Sequence, residues 1–215
     1  MSKYAVIIYH ANASKIYKPE WIDKCIDSIR NQTFKNFDVF EMNYYGEDKK
    51  MYANVGQKYF PVALQQGNHI GAMNTLIDMC LDFGYDIIFN VNLDDYYAPD
   101  RFEKQIIAIQ NGAQLVSSNF QYFNDERGHF KRMDMSRYGN IYIQLRRGHN
   151  VIAHPVVAYH KSFFDDGLRY DDVLGKEDLL MWQKASTLGR RMVILPDYLL
   201  HYRIHEKQVT KTYKG

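Results

Sequence analysis

Apolar positions along this chain fall into two kinds of segment. Some are short continuous runs rich in β-branched residues, and others are longer stretches where apolar side chains recur every three or four positions. Residues 3–9 form the first such run and predict a central strand, which His10-Ala11-Asn12-Ala13-Ser14 ends with small and polar residues. Pro19 suits the first turn of a helix, and Trp21, Ile22, Cys25, Ile26 and Ile29 then give it one apolar face. Asn31-Gln32-Thr33 stops that helix, and residues 38–42 predict a second strand. A strand–helix–strand opening implies a parallel sheet with a right-handed crossover.

Residues 43–56 are polar, Tyr-rich and without period, as expected of a loop with room for one helical turn. Val62-Ala63-Leu64 predicts a short third strand. Gly67-Asn68-His69-Ile70-Gly71 predicts a turn, and Met73, Ile77 and Leu81 mark a helix face after it. Residues 86–93 are the most apolar strand; they break off into Asp94-Asp95, two tyrosines and Pro99. A helix through Phe102, Ile106 and Ile109 closes at Asn111-Gly112, and residues 115–123 predict another strand. Residues 124–147 are charged, Gly-punctuated and aromatic, which fits a hairpin or a mobile loop. Residues 151–159 read as a strand that Pro155 assigns to a sheet edge or a bulge. A helix over 176–188, a strand over 192–195 and an extended piece over 198–204 complete the pattern. With no internal repeat or linker, the reading is a single α/β domain over 1–215, Rossmann-like, with a mostly parallel mixed sheet flanked by helices.

Composition narrows the functional classes. A formal net charge of +2 on 215 residues is too small for a nucleic-acid footprint, and 46% hydrophobic with 24% charged residues is globular composition. No apolar run approaches membrane-spanning length. Cys25 and Cys80 sit inside helical patterns without metal-ligand spacing and read as buried thiols of a reducing compartment, so a cytoplasmic setting is expected. The 18 tyrosines would suit a site that stacks bases or sugar rings, although tyrosines also fill cores.

The candidate chemistry starts at Asn92-Leu93-Asp94-Asp95. In open α/β sheets ligands bind beyond the carboxyl ends of the strands. Acidic residues there can hold a hard cation and, through it, a phosphate; adjacent Asp residues also commonly cap turns. Glu177-Asp178 opens an amphipathic helix, where acidity complements the helix dipole in any case. His154 is as consistent with a hydrogen-bonded core residue as with an acceptor-site residue. His10 and His201 read as structural, and Lys131, Arg132, Arg146 and Arg147 as a solvated basic surface in preference to diphosphate contacts.

The order of these signals resembles the GT-A glycosyltransferases of family 2, the inverting nucleotide-sugar enzymes. The matching pieces begin with Val6-Ile7-Ile8-Tyr9-His10-Ala11-Asn12, then Ser28-Ile29-Arg30-Asn31-Gln32-Thr33, then Asn68-His69-Ile70-Gly71 with Asn74. Asn92-Leu93-Asp94-Asp95 with Pro99-Asp100-Arg101-Phe102 stands for the DXD-type motif, and His154-Pro155, Glu177-Asp178 and Tyr202-Arg203-Ile204-His205 follow in order. The resemblance implies Mn²⁺ or Mg²⁺ held by Asp94, Asp95 and His205. It implies a nucleotide-diphosphate sugar, UDP being the nucleotide commonest in the family, contacted by Tyr9, Asn12, Asn43, Asn68, Asn74, Asn92, Leu93 and Asp94. By the same resemblance Asp178 is the general base for a hydroxyl of a glycan or glycoprotein acceptor, with Glu177 orienting it or binding the acceptor. Residues 1–123 would form the nucleotide-sugar half and 124–215 the acceptor and catalytic half, with room for further domains of a longer chain.

Two departures stand out. Asn43-Tyr44-Tyr45 replaces the family's paired Asp after the second strand, and Asn92 replaces the leading Asp of the metal motif. An amide can hydrogen-bond a base or a ribose hydroxyl but is a poorer cation ligand, so the metal role rests on Asp94. These departures keep open a non-catalytic nucleotide- or sugar-binding module. A sugar-nucleotide pyrophosphorylase shares the architecture but needs a Gly-rich, Arg-containing loop that His10-Ala11-Asn12-Ala13-Ser14 lacks.

Overall fold

A computed structural model describes residues 2–45 and 50–208; part of the loop expected over 43–56 therefore lies outside the described residues. β1 (Tyr4–His10) leads through a four-residue helix, α1 (Ala13–Ile16), and α2 (Pro19–Arg30) to β2 (Asp38–Asn43). β3 (Tyr59–Val62), α3 (His69–Asp82), β4 (Ile87–Val91), the two-residue β5 (Tyr96–Tyr97) and α4 (Arg101–Gln110) follow. The remainder comprises β6 (Leu115–Asn124), β7 (Gly128–Met133), α5 (Ile141–Arg146), β8 (Ala158–His160), α6 (Glu177–Thr187) and β9 (Met192–Arg203). One sheet runs β3-β2-β1-β4-β8-β6-β9-β5, with β7 pairing β6 as a hairpin. β1, β2, β3 and β4 are parallel, and β8 is the antiparallel strand that joins them to β6.

The apolar run of β1 is continuous because both faces of the sheet are covered. Val6 and Ile8 pack with Ile22, Cys25 and Ile29 of α2 and Phe102 and Ile106 of α4. Ala5 and Ile7 point the other way, to Met73, Leu76 and Ile77 of α3 and Met181 and Trp182 of α6. The strands thus end between two helical layers, and the loops at their carboxyl ends are forced together.

Three expectations are corrected. The third strand lies at Tyr59–Val62 rather than 62–64; as the last strand of the sheet, it tolerates Pro61, which cannot donate a ladder hydrogen bond. The strand expected over 151–159, at an edge or with a bulge, is only Ala158–His160 and lies inside the sheet, between β4 and β6. Pro155 does not disturb it because His154–Val156 is a 3-10 turn placed before the pairing begins. The strand and extended piece expected over 192–195 and 198–204 are one strand, β9, whose register on β6 shifts around Asn119. There the Asn119 amide donates to the Pro196 carbonyl at 3.0 Å, so the sheet continues past the proline.

Arg101 holds the acidic turn from beneath. It is fully buried at the start of α4, donates to the Asn90 carbonyl at 2.7 Å and to Gln105 Oε1 at 3.1 Å, and stacks over Tyr97 at 4.2 Å. Burial lowers its pKa to about 10, which leaves it charged at neutral pH. Gln32 completes the support by donating to the Ala98 carbonyl and accepting from the Phe102 N–H. Arg101→Met leaves the Asn90 carbonyl buried without its cationic donor. It is expected to lower unfolding stability by about 2–3 kcal/mol, read from the urea midpoint at unchanged m-value.

Candidate active site

β1 and β4 end side by side, and the residues that leave them open a cleft of about 580 Å³. Tyr9 and His10 from β1, Asn92, Leu93 and Asp94 after β4, and Glu177 and Asp178 from α6 all line it. Asp94 is presented by a tight turn: the Asp95 N–H reaches the Asn92 carbonyl, and the Asn92 N–H donates to the Tyr97 hydroxyl at 2.8 Å. Asn90 Nδ2 meets the Asn92 side-chain oxygen at 3.2 Å, so that amide is oriented from the strand below.

β9 supplies the other side of the acidic turn. The Arg203 N–H donates to Asp95 Oδ1 and its Nε to the Asp94 carbonyl, both at 2.8 Å. The guanidinium lies between Trp21 at 4.6 Å and Phe123 at 4.4 Å, and also pairs with Asp125. Two residues on, His205 Nε2 stands 3.0 Å from Asp94 Oδ2, walled by the rings of Tyr17 and Trp21. The pairing of Asp94 with His205 joins positions 111 residues apart. Asp95, in contrast, is buried and turned to the Arg203 backbone; burial, then the charge of Asp94, push its carboxyl well above the usual range. Among the described residues, no group of three or more His, Cys, Asp or Glu side chains is arranged to hold a metal.

At the start of α6 each carboxylate has its own partner. Glu177 Oε1 meets His69 Nε2 at 3.0 Å, and Asp178 Oδ2 accepts from Asn150 Nδ2 at 2.7 Å. Burial pushes the Glu177 carboxyl up, but the His69 hydrogen bond and neighbouring positive charge hold it below its ordinary value. Its second oxygen is buried with no protein partner among the described residues. His154 lines the cleft and is hydrogen-bonded, its Nε2 standing 3.0 Å from the Tyr170 hydroxyl. Burial lowers its pKa, against the opposing charge of Asp178 and Glu177.

Asn12, Asn43, Asn68 and Asn74 are each hydrogen-bonded within the protein. Asn12, in the left-handed region at φ 49°, gives its N–H to Asn43 Oδ1 at 3.0 Å, and Asn43 Nδ2 returns to Asn12 Oδ1 at 3.3 Å. Both are buried beside the cleft and neither lines it. Asn68 caps α3 by accepting from the Gly71 N–H, and donates to Asp172. Asn74 clamps the Tyr170 backbone through both its amide groups. Neither reaches the cleft lining.

Three further residues, His69, Asn150 and Glu41, contribute to the cleft and its support. His69 and Asn150 gave no signal, because their carboxylate partners are 108 and 28 residues away. Glu41 did: a carboxylate between Phe40 and Met42 in an apolar strand has to be satisfied internally. It is fully buried and accepts from the Tyr52 and Ala53 N–H groups, the Tyr59 hydroxyl and His10 Nε2. His10, expected to be structural, makes this tie while also facing the cleft.

The fold is of the GT-A class, a mostly parallel sheet with its acidic turn beyond the strand ends. Residues 5–168 match the family described as Glycosyl transferase family 2. The chain belongs to that family, and with it to the glycosyl-transfer enzymes. It is 29% identical over 204 residues to the amylovoran biosynthesis glycosyltransferase AmsE of Erwinia amylovora, covering 90% of this chain and 74% of that one. It is 26% identical to the O-antigen biosynthesis glycosyltransferase WbnJ of Escherichia coli, covering 90% and 78%. The fold matches S. aureus TarS residues 1–349 in complex with UDP-GlcNAc, with a TM-score of 0.74 at 16% identity, over 99% of this chain and 62% of that one. It also matches the mannosyltransferase PcManGT of Pyrobaculum calidifontis in complex with GDP-Man and Mn²⁺, with a TM-score of 0.69 at 13% identity, over 96% and 58%.

Glu41 generates a pH prediction. Burial raises its carboxyl, but the hydrogen bonds from His10, Tyr59 and Ala53 outweigh this and leave it depressed. A depressed folded value means stability that is fully present above the unfolded glutamate value, about 4.3, and lost as pH falls through the folded one. Glu41→Gln is therefore expected to be less stable at pH 7 and to lose less stability than the parent between neutral and acid pH, measured by urea titration at each pH.

Proposed function

We propose that this protein is a metal-dependent, inverting glycosyltransferase that moves a sugar from a nucleotide diphosphate to an acceptor hydroxyl, with UDP as the expected nucleotide. The observation that carries the reading is that Asp94, Glu177 and Asp178 line one cleft of about 580 Å³, with His205 held 3.0 Å behind the Asp94 carboxylate. Residues 1–123 would supply the donor half and residues 124–215 the base and acceptor wall.

The residues fit a divalent cation of the Mn²⁺ or Mg²⁺ kind. Asp94 Oδ2 and His205 Nε2 lie 3.0 Å apart, close enough to be two ligands of one ion that would replace the hydrogen bond between them. Two protein ligands suffice for a cation that completes its shell with phosphate oxygens and water. When bound, the ion would supply Lewis-acid stabilisation of the departing diphosphate. Asp95 supports this site in our reading by fixing the Arg203 backbone.

Asp178 takes the proton of the acceptor hydroxyl as that oxygen attacks the anomeric carbon from the face opposite the leaving diphosphate. A free carboxylate is a weak base for an alcohol, so the transfer develops with bond breaking. Asn150 fixes the orientation of Asp178 for this task, and His69 does the same for Glu177. Tyr9 and Asn92 face the cleft, where they would meet the donor. Asn12, Asn43, Asn68 and Asn74 would act on it through the backbone they hold.

Two variants separate binding from chemistry. Asp94→Ala is expected to abolish Mn²⁺-dependent binding of a nucleotide sugar, measured by calorimetry against a panel of donors with metal and with chelator. Asp178→Asn is expected to keep donor binding within about twofold and to lower transfer or slow donor hydrolysis by about 10²-fold or more. Undiminished turnover in Asp178→Asn would place the base elsewhere, and donor binding without turnover in the parent would favour a binding module.

A further inference from the structure

The net charge of +2 conceals a polarised chain. Between residues 127 and 147 stand Arg127, Lys131, Arg132, Arg137, Arg146 and Arg147 against the single carboxylate of Asp134, so this segment carries +5 and the rest of the chain −3. All six cations are exposed. Among the described residues only Arg137 reaches a carboxylate, Asp134 at 2.6 Å, while Arg132 lies over the Tyr198 ring at 5.2 Å. Large apolar side chains are exposed among them: Phe130 at 45%, Tyr138 at 49% and Ile143 at 40%. On α5, Ile143 is three and four positions from Arg146 and Arg147, so these share one outward stripe.

The patch adjoins the cleft. Met133 and Tyr138 line it on one side, and Asn150, just beyond α5, reaches Asp178. Three exposed apolar side chains stand among these exposed cations, whereas a soluble polyanion would need only the charges. Cations mixed with an aliphatic and two aromatic side chains match a bilayer interface. There rings sit at headgroup level, and each basic residue adds attraction to anionic lipid.

We propose that residues 127–147 dock this protein on an anionic lipid surface and hold the mouth of the cleft beside Asp178 against it. The consequence for acceptors rests on the transferase reading, since it would favour one presented at that surface; the docking itself does not.

The test is co-sedimentation of the full chain with vesicles of pure phosphatidylcholine and of an equal mixture of phosphatidylcholine and phosphatidylglycerol. Binding is expected to the mixed vesicles only and to weaken as salt is added. At about fivefold per basic residue, the double variant Arg146→Gln with Arg147→Gln should lower partitioning about 25-fold. Ile143→Ser should weaken it further, with far-UV circular dichroism unchanged in each. Equal binding to both vesicle types, no binding to either, or binding to soluble polygalacturonate but not to vesicles would overturn the proposal. Donor binding measured on the same samples reports separately on the transferase reading, because the vesicle assay contains no nucleotide sugar.

Discussion

The site depends on one fastening: the backbone of Arg203 hydrogen-bonded to the buried carboxylate of Asp95, with the Arg203 side chain on the Asp94 carbonyl. A hydrogen bond to a charged group in such surroundings contributes about 1.5–3 kcal/mol. Its larger effect is geometric. It fixes where β9 ends relative to the turn after β4, and so brings His205 onto Asp94. Trp21 and Phe123 sandwich the guanidinium and exclude water from it, while Asp125 balances its charge.

The two adjacent aspartates are therefore unequal. Asp94 points into the cleft toward an imidazole, and Asp95 points into the protein toward a backbone N–H. Burial and the neighbouring charge hold the Asp95 proton affinity high, while Arg203 and the more distant Arg101 oppose them. The same contrast recurs at α6, where Glu177 is tied to an imidazole and Asp178 to an amide. An amide donor orients a carboxylate without adding a full positive charge beside it.

The fold was legible where the pattern is local. β1, α2, β2, α3, α4 and α6 lie where apolar periodicity and Pro19 put them, because a strand buried on both faces and a helix buried on one leave different marks in sequence. The misplacements occur where a proline or a pairing partner decides. Pro155 reads as an edge or bulge signal, yet it stands in a turn just outside an interior strand. The strand over 192–195 and the extended piece over 198–204 read as separate, yet β9 bulges through Pro196, whose carbonyl Asn119 satisfies. Asn43, which stands where the resemblance has an acidic base contact, pairs with Asn12 and closes the ends of β1 and β2 together, a link the sequence does not announce.

By itself, the sequence determined the α/β layering, the acidic turn after the most apolar strand and the residue types available for chemistry, since these follow from local patterning of burial and turns. Only the tertiary structure decided which of those residues meet. Asp94 with His205, Glu177 with His69 and Asp178 with Asn150 join positions 111, 108 and 28 residues apart. Hydrogen bonds act over about 3 Å and leave no periodic trace in a sequence, so their partners become visible only once the sheet has brought its strand ends together.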